Sequence, residues 1–241
     1  MLNRRLAILA LSCAMALGCA GGPRNAAEGG DAQSQFEMGA AFEEGMGGET
    51  QDYVEALDWY TRAAEQGHPR AQYRLGLLLA DGLGTTANPE DAARWFLAAA
   101  EQELPEAQLQ MGILLDAGEG VPRDRTEAAR LFLLAAESGL TDAQYNLGLM
   151  YAAGQGVPRD ETEATRWFRS AAENDDADAM FQLGVSYAEG LGLKQNPVQA
   201  YLWLERAATR GSELAAPERD LLAKSMTEEE IAEAKRLAKN W

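Results

Sequence analysis

The chain has 241 residues, enough for one or two domains, and 46% of them are hydrophobic, ample for a buried core. Its 38 acidic residues outnumber 21 basic ones, giving a net charge of −17. That balance excludes nucleic acid and an anionic membrane face as expected ligands, since both select Lys and Arg; it fits a soluble acidic surface or a basic partner.

Arg4 and Arg5 precede an apolar run from Leu6 to Leu17, too short to span a bilayer as a helix. The pattern predicts a signal peptide over residues 1–18 and an exported chain. Two cleavage readings stand. Ala14-Met15-Ala16 suits ordinary secretion and a soluble periplasmic or secreted product. Leu17-Gly18-Cys19 resembles a bacterial lipoprotein signal, although Ala16 stands where Leu is commonest in that pattern. This resemblance implies that Cys19 is lipidated and that the chain is anchored in the bacterial envelope, on the outer membrane facing the periplasm. It gives Cys19 a role that ordinary secretion does not, and such an anchor holds a protein on a membrane without threading it through. Cys13 leaves with the signal, so the exported chain has no internal disulfide. The Gly-, Pro- and polar-rich residues 19–33 predict a flexible linker.

Beyond it the chain repeats. Ala71-Gln-Tyr-Arg-Leu-Gly76 returns as Ala107-Gln-Leu-Gln-Met-Gly112, Ala143-Gln-Tyr-Asn-Leu-Gly148 and Ala179-Met-Phe-Gln-Leu-Gly184, each 36 residues on. An earlier copy, with Phe36, Met38 and Gly39 in register, begins at Ser34 and is one residue longer. Five units are predicted, over residues 34–70, 71–106, 107–142, 143–178 and 179–214. Each reads as two helices, because its apolar residues fall at three-, four- and seven-residue steps. The second helix carries Trp59, Trp95, Leu131, Trp167 or Trp203 as a core anchor, followed by an Ala-Ala pair such as Ala63-Ala64.

Asn88-Pro89 and Asn196-Pro197 predict capped starts for second helices. Asp124 with Glu127, and Asp160 with Glu163, have capping-box spacing. Gly67, Gly139 and Gly211 predict left-handed stops, and Glu103 and Asp175 at the same place predict turns that differ. Gly39, Gly76, Gly112, Gly148 and Gly184 lie inside first helices, where Gly costs about 1 kcal/mol. Their recurrence predicts close approach of the partner helix with its Ala-Ala pair.

These residues carry a resemblance. The unit from Ala143 through Gly148, Tyr151, Gly154, Gly156, Asp160, Ala164 and Trp167 to Ala171-Ala172 resembles the Sel-one-like repeat, a relative of the tetratricopeptide repeat. It implies an all-α fold: a right-handed α/α solenoid of five 36-residue helix-turn-helix repeats. Residues 215–241 predict C-terminal capping helices, with Pro217 opening one and Thr227-Glu-Glu-Glu230 through Leu237 and Trp241 forming another.

The resemblance further implies a non-catalytic scaffold or adaptor that binds a protein or peptide in the concave groove lined by first helices. The groove positions are Tyr73, Leu77 and Asp81, then Leu109, Ile113 and Ala117, then Tyr145, Leu149 and Ala153, then Phe181, Val185 and Glu189. They form an apolar strip with acidic edges, suited to an extended or helical segment with basic flanks; part of the strip also reads as core between helices. Gln72, Arg74, Gln108, Gln110, Gln144 and Asn146 read as exposed polar neighbours. Two alternatives accompany this reading. One is binding or hydrolysis of a cell-wall or β-lactam compound, as in cysteine-rich relatives whose repeats are bridged by paired cysteines; these repeats have none. The other is a structural envelope spacer.

No cofactor or metal is expected, and a monomer is. His68 is the only histidine and reads as an exposed turn residue, so a histidine metal site or a serine–histidine triad has no basis. Gly118-Glu-Gly120-Val-Pro-Arg-Asp124 and its copy at Gly154 lack the Lys-Ser or Lys-Thr of a phosphate loop and the ligand series of a calcium loop. They read as connectors whose glycines permit positive φ.

Overall fold

A computed structural model of the chain describes residues 23–239, so the predicted signal peptide, Cys19 and Trp241 lie outside the described residues. Five helix pairs follow one another: α2 (Ala32–Glu44) with α3 (Tyr53–Glu65), α4 (Pro69–Asp81) with α5 (Pro89–Ala100), and α6 (Pro105–Ala117) with α7 (Arg125–Glu137). Then come α8 (Thr141–Ala153) with α9 (Glu161–Glu173), and α10 (Ala177–Glu189) with α11 (Pro197–Thr209). Each helix packs on the one before and the one after, forming a right-handed α/α solenoid. The short helix α1 (Pro23–Glu28) precedes the stack, and α12 (Ala215–Ala223) and α13 (Glu228–Lys239) close the far end against α11.

The first helices start two residues ahead of the predicted unit boundaries. The sequence repeat is clearest from the first buried Ala of each unit, such as Ala71, whereas the opening turn before it is exposed or half-buried and varies. Those helices end on glycines in the left-handed conformation, Gly45, Gly82, Gly118, Gly154 and Gly190. Asn88, Asp124, Asp160 and Asn196 cap the second helices by accepting backbone N–H groups. Only that half of the predicted capping box forms at Glu127 and Glu163: their carboxylates turn outward to Arg130 and Arg166, one helical turn on. At the C-terminus both halves form, Thr227 N–H to Glu230 at 2.9 Å and Glu230 N–H to Thr227 Oγ1 at 3.2 Å.

Two expectations need correction. Glu103 and Asp175 do not make different turns; they adopt the left-handed conformation themselves, at φ 62° and 67°, because the turn geometry is set by the stacked helices on either side. The helix-interior glycines do make room, but for a ring and not for the Ala-Ala pair. A Cβ on Gly76, Gly112 or Gly148 would stand 2.6 to 2.7 Å from Phe96, Phe132 or Phe168, each the residue after the Trp position. Tyr60 and Leu204 fill the same place against Gly39 and Gly184. The Trp positions are core as expected: Trp59, Leu131, Trp167 and Trp203 are buried and Trp95 half-buried.

Within the predicted linker, residues 23–28 form helix α1 and residues 32–33 begin α2. Residues 26–31, Ala-Ala-Glu-Gly-Gly-Asp, align with Ala63-Ala64-Glu-Gln-Gly67-His68. Gly30 takes a positive φ as Gly67 does, and Asp31 N–H donates to Ala26 O as His68 N–H does to Ala63 O. Helix α1 therefore matches the end of a repeat's second helix, with Ala27 wholly buried against the first helix pair. Its signal was the Ala-Ala pair, hidden in a stretch rich in Gly and polar residues.

Candidate interaction surface

The row of first helices holds the predicted groove residues, and they do not behave alike. Tyr73 and Tyr145 tilt against Phe96 and Phe168, with ring centroids 5.9 and 6.0 Å apart, and Leu109 at the same repeat position is only 7% exposed. Phe181 is half-buried against the C-terminal core. This row is largely core, a consequence of the ring that each interior glycine admits. One turn further on, Leu77 and Val185 are half-buried, whereas Ile113 and Leu149 remain 39% and 37% exposed. Asp81 and Glu189 are exposed at the last residues of α4 and α10.

Ile113 and Leu149 come together in one cleft of about 250 Å³ between the third and fourth repeats. Phe132 and Met150 contribute apolar wall, and Asp116, Asn146 and Gln155 contribute polar groups. Asp116 also meets Arg125, Oδ1 to Nε at 3.0 Å, with both side chains about two-fifths exposed. Asp116 was missed from the sequence. Its signal is repeat register, since it stands where Glu43 stands two units earlier.

At Glu43 the same inter-repeat position is filled. Tyr60 donates its hydroxyl to Glu43 Oε2 at 2.6 Å, and Arg74 donates to that oxygen from Nε at 3.1 Å and Nη2 at 3.0 Å. Burial, then the Glu43 charge, pushes the Tyr60 phenol above its ordinary range. Burial opposes the Arg74 charge, but Glu43 and Tyr60 outweigh it and hold the guanidinium above its usual range.

Gln72, Gln108 and Gln144 are not exposed, as was expected, but buried at 6%, 4% and 6%. With Gln35 they form an amide series between repeats. Gln35, Gln72 and Gln144 donate to Ala27, Ala64 and Ala136 carbonyls of the preceding unit. They accept from Gln66 at 2.6 Å, Gln102 at 2.7 Å and Asn174 at 3.3 Å in their own unit. Gln110 and Asn146, two positions on, are half-exposed.

His68 is likewise no free turn residue. Its Nδ1 accepts the Ala71 N–H at 3.1 Å, its Nε2 lies 3.0 Å from Gln33 Oε1, and its ring stacks on Phe36 at 4.8 Å. Partial burial, ahead of the nearby Arg70 charge, lowers its pKa. The connector glycines do a second job beyond positive φ. Gly156 and Gly192 lie against the backbone at Arg125 and Glu161, the start of the preceding unit's second helix, where no Cβ fits. Among the described residues no three His, Cys, Asp or Glu side chains gather as a metal site, and no helix is long and apolar enough to cross a membrane.

Comparison with known proteins agrees with this architecture. The Sel1 repeat matches five times, at residues 32–68, 69–104, 105–140, 141–176 and 177–212. No curated protein sequence matches the chain. Among solved structures, a protective antigen of uropathogenic Escherichia coli strains with an SLR fold is similar, at 38% identity and TM-score 0.76 over 80% of this chain. The chain spans 41% of that protein's length. A Sel1 repeat protein from Oxalobacter formigenes is 32% identical at TM-score 0.72, covering 77% of this chain and 73% of that one. Five consecutive repeat matches spanning the helix pairs, and the SLR architecture of these structures, make the chain a member of the Sel1 repeat family.

Proposed function

We propose that this chain, like Sel1 repeat proteins generally, is a protein-interaction scaffold, and that it is a non-catalytic one of the bacterial cell envelope, holding a protein or peptide along its row of first helices. The observation that carries this reading is the pairing of exposed Ile113 and Leu149, at one repeat position, in a single cleft. Isolated aliphatic side chains on a surface are ordinary, but two in repeat register lining one cavity offer a partner a contiguous apolar contact. His68, the only histidine, is committed to capping α4. The relative from uropathogenic Escherichia coli is a protective antigen, which accords with export.

The test is chemical crosslinking in intact cells. The unaltered chain and a Leu97→Glu control, altered on an exposed second-helix position, should yield the same adduct. Ile113→Glu with Leu149→Glu should reduce it at least tenfold; an undiminished adduct contradicts the reading.

Anchoring through a lipidated Cys19 is part of the proposal. Only three residues separate Cys19 from α1, so an acyl anchor would hold the first turn of the solenoid at the membrane surface. A fatty-acid probe should label the chain and spare Cys19→Ser; a processed but unlabelled chain overturns the anchor.

A further inference from the structure

The junctions between successive repeats place three positions together: one near the end of a first helix, one ring on the second helix, and one on the next first helix. Between the first and second repeats these are Glu43, Tyr60 and Arg74, and the Arg74 guanidinium closes the junction on Glu43. Between the third and fourth they are Asp116, Phe132 and Asn146. There the acid is kept, the arginine is replaced by a shorter amide, and the junction is the open cleft. The second and fourth junctions have Ala80 and Ala152 in place of the acid. Among the described residues, only the open junction therefore combines a carboxylate with room for a cation.

We propose that this cleft takes an arginine side chain of a partner polypeptide, seated as Arg74 is seated at the first junction, with the partner's apolar neighbours on Ile113 and Leu149. This rests on the scaffold reading and names the chemistry of its partner. Charge complementarity favours it: the chain carries −17, and a guanidinium reaching Asp116 gains a charge-assisted hydrogen bond in a partly enclosed site. Arg125 does not fill the place. It meets one oxygen of Asp116 through a pair that is two-fifths exposed, and such pairs are weak. A carboxylate accepts several donors, as Glu43 does from Tyr60 and Arg74, and Phe132 has no hydroxyl to compete. Asn146 supplies an amide that can donate and accept, matching the backbone of an extended segment.

The probe is the capped peptide acetyl-Leu-Arg-Leu-amide, with acetyl-Leu-Glu-Leu-amide as control, titrated into the purified chain while methyl NMR signals are followed. The Arg peptide should shift the Ile113 and Leu149 methyls, and the Glu peptide should bind at least tenfold more weakly. Asp116→Asn should weaken the Arg peptide about tenfold, and Asn146→Arg should abolish binding by closing the cleft as Arg74 does. Equal binding of both peptides at these methyls overturns the arginine assignment and leaves the scaffold reading standing. No shift at either methyl, or shifts elsewhere only, also overturns it, and the cell crosslinking then decides the scaffold reading separately.

Discussion

Single residues in this solenoid work under constraints that repeat five times, so each can be judged against its copies. Gly112 faces the buried Phe132 ring, and an added Cβ would lie 2.7 Å from it. Neither backbone nor ring can yield without disturbing the next repeat, so overpacking outweighs the helix-propensity gain of alanine. Gly112→Ala is expected to cost about 2 kcal/mol in urea unfolding; a neutral result contradicts the close-approach account. Glu103 is the opposite case. Holding a residue with a Cβ in the left-handed conformation costs about 1–2 kcal/mol, which exceeds the backbone entropy that glycine loses on folding. Glu103→Gly should therefore stabilise the fold by about 0.5–1 kcal/mol and raise Tm by about 2 °C; a lower Tm would argue against strain there.

His68 gives the fold a pH dependence. Its Nδ1 lone pair holds the Ala71 N–H, so protonation removes the cap, and its folded pKa lies below the ordinary 6.5. A depressed value means that the stabilisation is complete above about pH 6.5 and is lost as the pH falls through the folded pKa. His68→Asn keeps a cap that does not titrate. Between pH 7 and pH 5 the wild type should lose more Tm than His68→Asn; parallel curves would show that the cap does not sense pH.

Helix pairs are joined by buried amides whose exceptions are informative. Gln108 occupies the place of Gln35, Gln72 and Gln144, yet its Oε1 is buried without a partner, because Ser138 stands where Gln66, Gln102 and Asn174 donate. An unmet buried acceptor costs about 1–3 kcal/mol, and the upper part of that range exceeds the roughly 1.5–2 kcal/mol of side-chain entropy lost in ordering one glutamine. Ser138→Gln should stabilise by about 1 kcal/mol, and pairing it with Gln108→Leu should erase the gain in a double-mutant cycle. In the fifth repeat Met180 replaces the glutamine, and Arg210 at the donor position turns to Asp175 at 2.7 Å.

Element by element, periodicity made the helix pairs, their caps and the Trp anchors legible, because apolar spacing and N-cap chemistry are local. It did not tell a buried glutamine from an exposed one, since the partner of Gln72 lies 30 residues away. Nor did it separate the Tyr73 row from the Ile113 row. Both are apolar at helical spacing, and only the ring positions set by the interior glycines decide which is covered. Asp116 was readable in principle through its register with Glu43.

The whole molecule is a stack in which each unit buries the face of its neighbour. Among the described residues α1 packs on α2 at one end, and α12 with α13 packs on α11 at the other. On the lateral surface the first-helix row carries the open cleft. The most direct test places a photo-crosslinking amino acid singly at positions 77, 113, 149 and 185 on first helices, and at 61, 97, 133 and 169 on second helices, in living cells. The scaffold account predicts adducts to one protein from the first set, strongest at 113 and 149, and none from the second. Adducts confined to the second set, or none from the first, would contradict it.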